Sequence, residues 1–184
     1  MNQFIKETRH WIESVVIAHN FCPFAGKVFQ EDNITYHVVM DSDPEACLTA
    51  LIKACEHLDE HPQLETSLII CPELPDDFEP FLDLAAIAEQ LLIDQGYEGV
   101  YQLATFHPQY CFADSSADDA ANYTNRSPYP MLHLLREDSI SLAVEHYSDI
   151  DEIPGRNIET ARELGFGAMQ KLLHNCFEKH KTEQ

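Results

Sequence analysis

Three short runs of apolar and β-branched residues, at 34–40, 66–71 and 100–106, alternate with stretches of helix length, and this alternation constrains the fold more than any other feature of the chain. Each run is too short for a buried helix and has the composition of a strand. After the first, Asp43-Pro44-Glu45 supplies a helix cap, a preset first turn and an acid suited to the helix dipole, which predicts a helix to about residue 58. A second helix is predicted over 78–95, closed by Gly96 at a position suited to left-handed geometry. Strand, helix, strand, helix, strand in this order predicts parallel neighbours joined by right-handed crossovers. The expected class is α/β: a small, mainly parallel sheet of about three strands flanked by helices, with a helical C-terminal part. A ferredoxin-like or other α+β arrangement is the alternative, because three strands do not determine a sheet order.

On the N-terminal side, Phe4, Ile5, Thr8, Trp11, Ile12, Val15, Val16 and His19 recur at three- and four-residue spacing. They predict a helix packing one face, ending near Phe21-Cys22-Pro23-Phe24 because proline disfavours helical geometry in the residue before it. Beyond Phe112 a polar loop runs over 113–130, followed by expected helical segments near 131–136, 139–147 and 157–179. With 184 residues, 45% of them hydrophobic, the chain can bury a core without disulfides or structural metal, and a single domain over 1–184 is expected. No window approaches eighteen consecutive apolar residues and the first thirty residues lack the pattern of an export signal, so a cytoplasmic protein with no membrane span is expected. The six cysteines fall at unrelated spacings and form none of the close pairs of zinc ribbons or redox turns, which fits reduced thiols. Nothing in the pattern specifies an oligomeric state.

A formal charge of −21 repels polyanions, so no nucleic acid and no anionic membrane surface is expected as a partner. The cations are also unevenly distributed: no Lys or Arg occurs from Ala54 through Asn125, and then Arg126, Arg136, Arg156 and Arg162 follow. Either each pairs with one of the many carboxylates, or some of them meet a small anionic ligand.

If the strands are parallel, their carboxyl ends share one edge, where open α/β sheets build sites. Asp41, Cys71-Pro72-Glu73 and Phe106-His107-Pro108 would stand along it. His107, held between a strand and a proline, is a candidate catalytic group; the alternative is a buried histidine with one hydrogen bond. His133, Arg136 and Glu137 share one surface if 131–136 is helical. Two chemistries compete for the block 106–137. In one, Arg126 and Arg136 clamp an anionic metabolite, Asn122, Asn125 and Ser127 orient it, and His107 or His133 moves a proton, with Glu137 as a further candidate. In the other, a divalent metal is held by His107, His133, Glu137 and Asp118 or Asp119, as in a metal-dependent hydrolase or transferase. A non-catalytic protein that uses the polar block as a brace and presents its acidic surface to a basic partner is the third reading. Cys22 is a possible nucleophilic thiol, although Phe21 and Phe24 beside it suggest burial.

The chain resembles an uncharacterised bacterial family, domain of unknown function family 1415, across essentially its whole length. The resemblance lies in Trp11, Cys22-Pro23-Phe24-Ala25, Phe106-His107-Pro108 with Phe112, and the block from Asn122 through Pro130 running into His133-Leu134-Leu135-Arg136-Glu137; Arg156-Asn157 fits it too. It implies that the polar block is a family hallmark and an ordered element. It implies no reaction, cofactor or substrate. The family pattern favours a glycine where this chain has Asp114.

Overall fold

The computed structural model describes residues 2–146 and 150–178. Strands β1 (Ile34–Val38), β2 (Thr66–Ile70), β3 (Tyr101–Phe106) and β4 (Met131–Arg136) form one sheet in the order β1-β2-β4-β3. β1 and β2 pair in parallel, whereas β4 is antiparallel to both of its neighbours, β2 and β3. The first three strands therefore point the same way, as the alternation predicted, but β4 separates β2 from β3. The mixed α/β class and the helical C-terminal part stand. The expected mainly parallel sheet of about three strands is corrected to four strands with one parallel and two antiparallel pairs.

The correction comes from residues 131–136, expected as helix. Leu132 and Leu134 join the core on one face of the sheet and Met131 joins the core on the other. A central strand buried on both faces carries apolar residues at successive positions, so the period-2 signal that separates strand from helix is lost.

The helices are α1 (Gln3–Trp11), continued by a π-helical turn over Ile12–Ile17, α2 (Ala25–Gln30), α3 (Pro44–Glu60), α4 (Phe78–Asp94), α5 (Glu137–His146), α6 (Ile153–Leu164) and α7 (Phe166–Glu178). α3 starts where the sequence predicts: the Asp43 carboxylate accepts the Glu45 N–H at 3.0 Å, and Pro44 occupies the first turn. α3 and α4 cover one face through Leu51, Leu58, Phe81 and Leu84 against Ile69, Leu132 and Leu134. Fully buried leucines such as Leu51 and Leu58 each contribute about 2 kcal/mol. The other face is covered by Trp11, Val15, Ala161 and Met169 against Leu68, Ile70 and Met131.

α2 was not anticipated. The single helix expected over 157–179 is two, because Gly165, at φ 86°, ends α6 and starts α7 in a new direction. The expected helix ends at 147 and 179 lie outside the described residues. Among the described residues, no helix is long and apolar enough to cross a membrane. Register aligns Val38, Ile70, Met131 and Phe106 in one row, so the exits of β1, β2 and β3 and the entry of β4 share an edge. The loop 107–130 connects β3 to β4 at that edge.

Candidate functional site

His107 leaves β3 on the side of α4, where it is fully buried between the rings of Phe78 and Phe81, with centroids 5.2 and 4.9 Å away. Its Nδ1 accepts the Gln109 N–H at 3.0 Å, which leaves the proton of the neutral ring on Nε2. Nε2 has no well-aligned hydrogen-bond partner. Burial drives the imidazole pKa down to about 4, against the opposing pull of Asp76, the Pro75 carbonyl and Asp77, so the ring is neutral at pH 7.

The loop beyond His107 is tied together by its own polar side chains. Asn122 is fully buried: its Oδ1 accepts the Phe112 N–H at 3.0 Å and its Nδ2 donates to the Ser116 carbonyl at 2.8 Å. Arg126 donates from Nε to the Tyr110 carbonyl at 3.0 Å and from Nη2 to the Ala117 carbonyl at 2.9 Å, with its guanidinium 4.7 Å from the centre of the Tyr123 ring. The buried Ser127 hydroxyl donates to the Tyr129 carbonyl. Asn125 accepts the His107 N–H on its own carbonyl and the Thr124 hydroxyl on Oδ1. Asp119 caps a 3-10 turn over Ala120–Thr124 through the Ala121 N–H and receives both Nε and Nη2 of Arg162, at 3.1 and 2.7 Å. The Arg162 guanidinium, together with the Ala121 N–H, holds its carboxyl down to about 2. Asp118 is exposed. Asp114, where the family resemblance favours glycine, has no left-handed backbone; among the described residues only Asn20 and Asp32 combine a side chain with positive φ.

This loop seats on α1. The Trp11 Nε1 donates to the Arg126 carbonyl at 3.1 Å, and the Trp11 ring meets Phe106 edge-on at 5.1 Å. Tyr129 donates its hydroxyl to the buried carboxylate of Glu7, which also accepts from Gln3. Burial, reinforced by that carboxylate, raises the Tyr129 pKa. Glu7 escaped the sequence reading, although its spacing was informative: it stands three residues after Phe4 and four before Trp11, on the apolar stripe of α1.

The remaining expected residues lie elsewhere. His133 faces the α1 side, opposite His107, and packs against Phe106 at 5.9 Å. The Thr66 hydroxyl gives its proton to the Leu134 carbonyl, so the His133 Nε2, 2.5 Å from that hydroxyl, is the donor of the pair. Desolvation lowers the His133 pKa to about 4. Arg136 ends β4 at the far edge of the sheet, five residues and about 17 Å of strand from Met131. There it closes the C-terminus of α3, donating to the carbonyls of Leu58 (2.6 Å), Leu64 (2.8 Å) and His61 (3.3 Å). Glu137 opens α5 beside it, its N–H on the Val100 carbonyl.

The structure therefore brings together Asn122, Asn125, Arg126 and Ser127 with the backbone of His107, and it separates His133, Arg136 and Glu137 from them. The physical reason is the strand at 131–136: alternate side chains go to opposite faces and its ends to opposite edges. Among the described residues no group of three His, Cys, Asp or Glu side chains is placed to hold a metal ion. Two shallow grooves, of about 550 Å³ along α6 and about 350 Å³ beside α1, are lined by none of the expected site residues. Cys22 is half-buried after the π-helical turn, and burial raises its thiol pKa despite the nearby N–H groups of Phe24 and Ala25. Cys47 and Cys71 are fully buried side by side on the α3 face.

A family model described as a protein of unknown function, DUF1415, matches residues 3–171. The chain belongs to that family. The DUF1415 match runs from the start of α1 into α7, so it takes in all four strands, the loop 107–130 and the helices the loop seats on. No curated protein and no solved structure matches the chain.

Proposed function

We propose that this DUF1415 protein is a non-catalytic binding protein, in which the polar block braces the fold and the acidic surface receives a basic partner. One observation carries the reading: the hydrogen bonds donated by Asn122, Arg126, Ser127 and Arg136 run to the chain itself, to backbone carbonyls and, from Arg136 Nη1, to the Tyr101 hydroxyl. A guanidinium used this way commits those donors to the carbonyls it holds, which favours a bracing role over a clamp. The charge supplies the other half, since a net −21 attracts cationic surfaces and repels anions. A nucleic acid or an anionic membrane is disfavoured as a partner for the same reason.

The finer alternatives, an enzyme acting on a small anionic metabolite and a metal-dependent hydrolase or transferase, both need side chains from the two ends of β4 to meet at one ligand. Arg136→Leu separates the first of them from the brace. As a brace, Arg136 stabilises the end of α3, and its loss leaves three carbonyls without their donor, which lowers the unfolding free energy by about 2 kcal/mol in urea titrations. An anion clamp predicts unchanged stability together with loss of calorimetric binding of inorganic phosphate or citrate. That second result would overturn the proposal.

A further inference from the structure

Resting on the reading of a basic partner, we infer that the outer face of α4 is the docking surface and that the partner presents a basic amphipathic helix. Seven large apolar residues are exposed among the described residues, and four of them, Leu82 (42%), Ile87 (55%), Ile93 (46%) and Val100 (42%), lie on α4 or the turn that follows it. The other three are apart from it and from one another, Met40 in the segment after β1, Leu142 on α5 and Leu164 at the end of α6. Leu82, Ala86 and Ile93 are four and seven residues apart, which places them in one strip about 16 Å long down the helix. The inner face of α4 needs nothing more, because Phe81, Leu84, Ala85, Ala88 and Leu92 already bury it on the sheet and α3. Three exposed aliphatic side chains in register on a helix whose core face is complete have the spacing of a helix-in-groove or helix-on-helix anchor.

Charge identifies the occupant. α4 carries Glu79, Asp83, Glu89 and Asp94 with no Lys or Arg, and it lies inside the cation-free run from Ala54 to Asn125. Glu79, Asp83, Glu89 and Asp94 are all exposed; Glu89, seven residues after Leu82 and four before Ile93, lies within the strip, and Glu79, Asp83 and Asp94 form a negative rim along one side of it. A second copy of the chain would bring the same rim against itself, and like charges juxtaposed at an interface oppose association. A helix with Leu or Ile on one face and Lys or Arg along its borders satisfies both the strip and the rim.

The probe is an eighteen-residue, fluorescein-labelled peptide of Leu and Lys at helical spacing, compared with a peptide of the same composition in non-amphipathic order. Anisotropy titrations against the full chain are expected to show at least tenfold tighter binding of the amphipathic peptide. Leu82→Ser with Ile93→Ser is expected to weaken it at least tenfold with circular dichroism unchanged. Asp83→Lys with Asp94→Lys, which leaves the apolar strip intact, is expected to do the same and keeps the test valid if the serine pair unfolds. Equal binding of the two peptides, or wild-type affinity in the lysine pair, would overturn the assignment to α4 while leaving a basic partner for another surface. No salt-sensitive binding of either peptide would remove the basic-partner reading itself. A dimer in sedimentation that Ile93→Ser dissolves would make the occupant a second copy and overturn the inference.

Discussion

His107 carries its neutral ring into a fully buried site, and this makes stability depend on pH in a defined direction. Its folded pKa of about 4 lies below the ordinary value of 6.5, so between those limits the unfolded chain binds more protons than the folded one. Stability from this residue is complete above pH 6.5, falls as the pH drops toward 4, and changes no further below that. The full span is about 3 kcal/mol. His133 is depressed over the same window. In His107→Asn, whose Oδ1 can still accept the Gln109 N–H, the slope of unfolding free energy against pH between 6.5 and 4 is expected to fall by roughly half. Urea titrations at three pH values measure it, and an unchanged slope would show that the imidazole is not the source. Part of this was readable beforehand: a histidine between an apolar strand and a proline is held, and a buried histidine with one hydrogen bond was one of the two expectations for it. The hydrogen bonds of Asn122 and Arg126 were not readable, because their backbone partners lie six to sixteen residues away in a loop with no periodic signal.

Among the elements, β4 and the α6–α7 break decided what the residues could do. Residues 131–136 read as helix because every position but His133 and Arg136 is apolar, and only pairing with β2 and β3 separates the side chains onto two faces. Had they been helical, His133, Arg136 and Glu137 would have shared one surface. The C-terminal break has a local cause. Gly165 at φ 86° and ψ 154° occupies backbone space open essentially to glycine alone. Gly165→Ala is expected to lower the unfolding free energy by about 1–3 kcal/mol in thermal or urea melts. A stabilised variant would mean that the chain can run as the one continuous helix its periodicity suggested.

For the molecule as a whole, charge dominates. Against a net −21 stand exposed ion pairs such as Arg9 with Asp32 and Arg162 with Asp119. Exposed pairs of this kind contribute at most about 1 kcal/mol each, so repulsion among carboxylates outweighs them. Raising sodium chloride from about 20 to about 200 mM, which shortens the screening length severalfold, is therefore expected to raise the melting temperature. A fall would mean that the attractive pairs prevail.

Local chemistry written along the chain was enough to specify three strands and their common direction, the helices at 44 and 78, the capping at Asp43 and the acidic character. Each rests on short-range patterning or on composition, which are properties of neighbours in order. The position of β4 between β2 and β3, and with it the scattering of the expected site, depended on which strand paired with which. Pairing is a contact between segments far apart in the chain, chosen by burial on both faces at once, and no run of six residues records it.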